Sequence, residues 1–130
     1  MPSLIRLLTR NGGERRRSPR YLVPEEEPLL VGLVVVGRGG RTLTGRVRDI
    51  SETGLSILLP EGKACGGLSE PGRALAAVLS LPSGVVRLRA EVVHCSARHG
   101  GSGGLLVGAC ISEISAEDRD RLGAYIAERS

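Results

Sequence analysis

Six short apolar segments follow one another between residues 29 and 112, and glycines, prolines and polar residues separate them. They span residues 29–37, 42–49, 54–59, 73–80, 85–94 and 104–112. Several segments alternate between apolar and polar residues with a period of two, which is typical of strands with one buried face. In the fifth segment, the apolar positions are Val86, Leu88, Ala90 and Val92.

Short strands at this spacing, joined by turn residues, favour an antiparallel barrel or sandwich. The last part of the chain has a different pattern. Ser115 can cap a helix, and Asp118 stands where the acid of a capping box stands. Leu122, Tyr125 and Ile126 then form an apolar stripe at helical spacing. We therefore expect a β-dominated fold, a six-stranded antiparallel β-barrel with one C-terminal α-helix.

The composition indicates one domain with an aliphatic core. The chain has 130 residues, two tyrosines and no Phe or Trp, so Leu, Val, Ile and Ala must fill the interior. The net charge is +4, and residues 1–20 alone carry +5. The rest is therefore close to neutral, which argues against a broad nucleic-acid-binding face. We expect residues 1–13 to be a flexible leader and residues 14–130 to be the domain.

The remaining composition points to a cytoplasmic protein. The three cysteines are Cys65, Cys95 and Cys110, an odd number without CxxC spacing, so we expect reduced thiols. With His94 and His99, they match no zinc pattern, and we predict no metal site. No apolar run approaches the length of a membrane span. No nucleophile–base pair or paired carboxylates indicate an enzyme.

An arginine cluster, ERRRSPR, occupies residues 14–20 in a chain with a single lysine. Pro19 keeps Ser18 away from helical conformation, so we expect an extended segment. Arg16 and Arg20 then point the same way, about 13 Å apart at ~3.3 Å per residue, and Arg15 precedes them. Guanidinium groups bind phosphate, the O6/N7 edge of guanine and base faces. Alone, the cluster is equally typical of a solvated tail.

A second motif, DISETG, lies between the second and third predicted strands. Asp49 and Ser51 are two residues apart, so they face the same side of a strand end. A carboxylate complements the N1–H and N2 amino donors of guanine, and a hydroxyl adds one more bond. Gly54 permits a tight turn or a close approach by a ligand. Alone, this motif is also typical of a plain turn with self-bonded Asp and Ser.

Together and in this order, the two motifs resemble those of the PilZ family, bacterial β-barrels that sense the second messenger cyclic di-GMP. The resemblance covers about residues 14–128. It includes a tail in which residues 108–111 and 114–119 resemble the family's last strand and following helix. One departure is that family members commonly have a Phe on the last strand, where this chain has Cys110 or Ile111.

The resemblance implies a ligand-binding barrel without enzymatic activity or cofactor. Arg16 and Arg20 correspond to the arginines that contact guanine and phosphate. Asp49, Ser51 and Gly54 correspond to barrel-surface residues that contact a guanine base and the backbone. Arg15 stands at the position that influences whether one ligand or an intercalated pair is bound, and an arginine there favours the pair.

The sequence therefore predicts a cytoplasmic cyclic di-GMP receptor that changes conformation and acts through an unidentified effector protein, in motility or biofilm regulation. A first alternative is a nucleotide-independent adaptor of the same fold in pilus or flagellar motility. A second is a small basic nucleic-acid-binding barrel, although the neutral body and the lack of aromatics for base stacking disfavour it.

Overall fold

The structure is a computed structural model of the chain, and it describes residues 4–6, 19–37, 42–60, 72–97 and 104–129. Within these ranges, eight β-strands precede one α-helix. They are β1 Leu4–Arg6, β2 Tyr21–Leu22, β3 Leu30–Val35, β4 Thr42–Ile50, β5 Gly54–Leu59, β6 Ala74–Leu81, β7 Gly84–Ala97, β8 Leu105–Ser115 and α1 Ala116–Arg129.

Strands β3 to β8 form a closed antiparallel barrel. Their order around the barrel is β8, β5, β4, β3, β6 and β7, and β7 pairs back with β8 to close the ring. Closure leaves these six strands without a free edge. The predicted six-stranded barrel with one C-terminal helix is thus confirmed, and the six predicted apolar segments form its strands.

Two very short strands, which the sequence analysis did not predict, extend this barrel. β1 pairs with the end of β8, and β2 pairs with Asp49 and Ile50 at the end of β4. β3 pairs with the same edge of β4 in the first part of that strand, from Thr42 to Arg46. β1 falls within residues 1–13, the predicted leader, the rest of which lies outside the described residues. The division into leader and domain stays a prediction.

The barrel interior is aliphatic, as the composition predicts. Leu33, Leu79 and Val107 are among the fully buried side chains, and Tyr125 is the one aromatic residue of the core in the described part of the chain. On the last strand, Ile111 is buried, whereas Cys110 is exposed. Of these two neighbouring residues, Ile111 is therefore the one that fills the core.

The helix is fixed to the barrel at its first turn. The Ser115 hydroxyl accepts a hydrogen bond from the Asp118 backbone N–H at 3.0 Å, which confirms the predicted cap. The Asp118 carboxylate accepts from the Arg87 backbone N–H at 3.2 Å, and Arg121 donates to the Val85 carbonyl at 3.4 Å. Side chains of α1 thus pair with the edge of β7 just before its pairing with β8 begins.

The other predicted helix feature is also observed. Leu122, Tyr125 and Ile126 are buried and form the side of α1 that faces the barrel. The helix packs on β7 and β8, and Glu52 of the turn that joins β4 to β5 lies beside Arg119 and Gly123 of the helix.

Candidate functional site

A β-bulge interrupts β4 directly before the DISETG motif. Val47 pairs with Ile57 of β5, but Asp49 pairs with Ser56, so Arg48 is an extra residue in the ladder. In a regular strand, consecutive side chains point to opposite faces. The bulge instead lets two neighbours meet, and the Arg48 Nε donates to the Asp49 Oδ2 at 3.1 Å.

The Asp49 carboxylate also joins the two sequence motifs. Arg20, which directly precedes β2, donates from its Nη1 to the Asp49 Oδ1. The Asp49 side chain is only 3% exposed, whereas the Arg20 and Arg48 side chains are each 53% exposed. The buried carboxylate is therefore neutralised by two guanidinium groups whose outer sides face solvent. Each guanidinium has five N–H donors, so donors remain for an anion or a base edge.

The structure thus brings Arg20 and Asp49, which are 29 residues apart, into one site. Arg15 and Arg16 lie outside the described residues, and their part in the site stays a prediction. The proposed contact between Asp49 and a guanine base also stays a prediction. Both carboxylate oxygens of Asp49 already accept hydrogen bonds from arginine. In this structure, Asp49 therefore holds Arg20 and Arg48 in place.

Ser51 lies in the turn after β4 and is almost fully buried. Its hydroxyl oxygen accepts hydrogen bonds from the backbone N–H groups of Thr53 and Gly54, both at 3.2 Å. Its own backbone N–H donates to the Gly54 carbonyl at 2.8 Å. Ser51 therefore bonds within its own turn, as a plain-turn interpretation expects, and a ligand contact by Ser51 stays a prediction.

Gly54 begins β5 and lies where β5 and β8 approach closely. It pairs with Cys110, and a Cβ atom at this position would lie 2.9 Å from the Ala109 carbonyl oxygen. The close approach foreseen at this glycine is thus made by the neighbouring strand. Whether Gly54 also contacts a ligand stays a prediction.

Two contacts to α1, which the sequence analysis missed, flank the site. Glu52 in the turn lies 3.8 Å from the Arg119 guanidinium, and Tyr21 meets Tyr125 edge to face with ring centroids 5.7 Å apart. The sequence carried one signal for the second contact, since the chain has two tyrosines and neither Phe nor Trp. Tyr21 follows the arginine motif, and Tyr125 lies among the apolar residues on one face of the helix.

The environment of Tyr125 depends on this contact. Burial raises the pKa of its hydroxyl above the usual value, and the neighbouring Tyr21 raises it further. The Arg129 guanidinium stacks over the Tyr125 ring at 4.3 Å and partly opposes this increase. A change in the position of Tyr21 therefore alters the surroundings of the C-terminal part of α1.

A cleft of about 390 Å³ lies beside Tyr125 and Arg129, between the residues before β3, the β6–β7 hairpin and the helix. None of the predicted binding residues lines it. The site around Arg20 and Asp49 is therefore a separate site on the outer barrel surface.

Within the described residues, no group of three or more His, Cys, Asp or Glu side chains is placed to hold a metal ion. In the same part of the chain, none of the helical structure combines the length and apolarity that crossing a membrane requires.

Comparisons with known proteins agree with this architecture. Residues 14–128 match the family model of the PilZ domain. None of the curated proteins matches the sequence closely enough to count as a relative.

Several solved structures share the fold, and three of them follow. The PilZ domain with c-di-GMP of YcgR from Escherichia coli is 21% identical with a TM-score of 0.71, covering 89% of this chain and 92% of that one. The Bacillus subtilis inhibitor of motility MotI/DgrA is 21% identical with a TM-score of 0.68, and the match covers 89% of this chain and 51% of that one. The K. pneumonia MrkH–c-di-GMP complex is 18% identical with a TM-score of 0.73, and the match covers 88% of this chain and 52% of that one. The chain thus spans about half the length of MotI and MrkH.

The packing at Gly54 generates a stability prediction. Gly54→Ala should lower the free energy of unfolding by about 1–3 kcal/mol, the usual cost of overpacking, because its Cβ meets the Ala109 carbonyl of β8. Gly32→Ala is the matched control, since the nearest atom to a Cβ there is 3.8 Å away. We expect it to be neutral or to stabilise by up to about 1 kcal/mol. Urea denaturation of both variants checks this. If Gly54→Ala and Gly32→Ala lost the same free energy of unfolding, the packing explanation would be contradicted.

Proposed function

Because the chain belongs to the PilZ domain family, we propose that it is a cyclic di-GMP receptor that binds its ligand on the outer barrel surface around Arg20 and Asp49. The observation that carries this proposal is the ion pair between these two residues, since it joins the two motifs on which the ligand-binding interpretation rests. The YcgR and MrkH structures that share the fold contain c-di-GMP.

The chemistry of the site suits this ligand. Cyclic di-GMP presents two phosphates and two guanine bases, and guanidinium groups bind both kinds of group bidentately. Arg20 and Arg48 are held by a buried carboxylate and keep their outer sides in solvent. This fixed orientation lowers the side-chain entropy that ligand binding costs. Arg15 and Arg16 would add further cationic and stacking surfaces, and Arg15 favours an intercalated ligand pair.

The proposed response to the ligand is an ordering of residues 14–21 against the turn at residues 49–54. Tyr21 lies at the end of this segment and contacts Tyr125, so the ordering of residues 14–21 reaches the buried side of α1. We propose that the resulting change on the helix is recognised by an effector protein. In this account, the chain is a cytoplasmic receptor without catalytic activity or cofactor, and it acts in motility or biofilm regulation.

Isothermal titration calorimetry tests the binding claim. The wild type should bind cyclic di-GMP and should bind neither cyclic di-AMP nor GTP with comparable affinity. Arg20→Ala and Asp49→Ala should each weaken binding about tenfold or more, because a hydrogen bond to a charged group contributes about 1.5–3 kcal/mol. The measured stoichiometry distinguishes one bound ligand from a pair.

Two matched controls remove the same charges elsewhere. Arg89→Ala lies on β7, which is opposite β4 in the ring of six strands, and Asp120→Ala lies at an exposed position of α1. Both should retain wild-type affinity. A wild type that does not bind, or full affinity in Arg20→Ala and Asp49→Ala, would contradict the proposal. The first result would favour the nucleotide-independent adaptor.

Fluorine NMR with ring-fluorinated tyrosine tests the response. The chain has two tyrosines, so the protein gives two signals, which Tyr21→Phe assigns. Cyclic di-GMP should shift the Tyr125 signal, although Tyr125 itself lies outside the proposed binding residues, because Tyr21 belongs to the segment that the ligand orders. In Tyr21→Phe, the edge-to-face contact is retained, and the shift should persist.

In Tyr21→Ala the contact is removed, so the Tyr125 signal should no longer respond while calorimetry still detects binding. An unchanged Tyr125 signal in the ligand-saturated wild type would show that the helix does not sense the ligand by this route.

A further inference from the structure

The outer surface of β3 and β6 carries no charged side chain. Its outward positions are Leu30, Gly32, Val34, Ala74, Ala76, Val78 and Ser80. We call this surface the apolar stripe. Leu30 and Val78 are 50% and 38% exposed, so aliphatic side chains of two neighbouring strands face solvent together. Contiguous exposed apolar surface, when it is extensive, marks an interaction site.

Two arginines lie along one side of the apolar stripe. On β7, Arg87 pairs with Val78 and Arg89 pairs with Ala76. Both arginine side chains are exposed. In the described part of the chain, neither guanidinium group forms a salt bridge. These two positive charges are therefore unpaired beside an aliphatic surface.

Three glutamates lie at the end of the apolar stripe. The segment Pro24–Pro28, which we call the acidic turn, leads through Leu29 into Leu30 at the start of β3. Glu25, Glu26 and Glu27 are exposed. Among the described residues, they too form no salt bridge. One molecule thus presents an aliphatic surface with unpaired charges of both signs at different places around it.

We propose that the apolar stripe is the interface between two copies of this chain, related by a two-fold axis. Gly32 of β3 pairs with Val78 of β6, so Leu30, two residues before Gly32, lies diagonally beside Val78. An axis between Leu30 and Val78 packs Leu30 of each copy on Val78 of the other. Such an interface is self-complementary, as closed dimers require.

The same axis pairs the charges. The acidic turn precedes Leu30 in the chain and extends past the start of β3. In the dimer, Leu30 packs on Val78 of the other copy, so the acidic turn extends past that Val78 towards Ala76. Ala76 and Val78 are the β6 partners of Arg89 and Arg87. Each acidic turn therefore meets the two unpaired arginines of the other copy. Opposite charges in such positions fix the register of an interface and steer its formation.

A second copy fits this surface better than an anionic lipid surface or a nucleic acid, because the three glutamates repel both. The two arginines of the interface lie on β7, which is opposite β4 and the Asp49 carboxylate in the ring of six strands. The dimer does not depend on the proposed nucleotide binding, and the two have separate tests: sedimentation velocity for the dimer and calorimetry for the binding.

Sedimentation velocity of the full chain over a concentration series, at low salt and without nucleotide, tests the proposal through charge reversal. The wild type should be a dimer. Glu25→Lys, Glu26→Lys and Glu27→Lys together should weaken dimerisation at least tenfold, and Arg87→Glu with Arg89→Glu should do the same. All five substitutions in one chain should restore the dimer, because each reversed turn again meets opposite charges.

An aliphatic pair of variants supports the test if the five-fold variant folds poorly. Leu30→Glu should abolish the dimer, whereas Val93→Glu should leave it unchanged, because Val93 is 56% exposed but lies outside the apolar stripe. Circular dichroism checks that each variant is folded. A monomeric wild type, a folded five-fold variant that stays monomeric, or equal effects of Leu30→Glu and Val93→Glu would overturn the proposal.

Discussion

The rest of the site depends on one buried carboxylate. The Asp49 side chain is 3% exposed, and a buried charge is tolerated only when it is paired and hydrogen-bonded. The bulge at Arg48 supplies one partner, and the short strand β2 brings Arg20 as the other. A regular β4 would point Arg48 and Asp49 to opposite faces. The bulge is therefore the structural reason that two cations converge on one acid at the barrel surface.

The residues of the two motifs make different kinds of contact in the structure. Ser51 bonds within its own turn, and Gly54 permits the contact between β5 and β8, so both maintain the shape of the turn. Arg20 keeps a half-exposed guanidinium that can bind a ligand. Tyr21 and Glu52, which stand beside these residues in sequence, contact α1. The site is thus connected to the helix at two points.

The sequence predicted much of this fold because turn residues separate the apolar segments, because several of these segments alternate with a period of two, and because Ser115 is a strong helix cap. It did not predict β1 or β2, since two or three residues cannot display a period. The bulge leaves no signal either, because Arg48 reads as one more polar position. The pairing of Tyr21 with Tyr125 was foreseeable in a chain with no other aromatic residues, whereas the burial of Asp49 depends on contacts made only in the folded barrel.

The central claim is that Arg20 and Asp49 act as one unit in nucleotide recognition, the carboxylate orienting the guanidinium. A double-mutant cycle on the cyclic di-GMP binding free energy tests it most directly, using Arg20→Ala, Asp49→Ala and both together. If Asp49 acts through Arg20, the double variant should bind no more weakly than the weaker single variant, with a coupling energy of about 1 kcal/mol or more. Strictly additive losses would contradict the account, because the two residues would then contact the ligand independently.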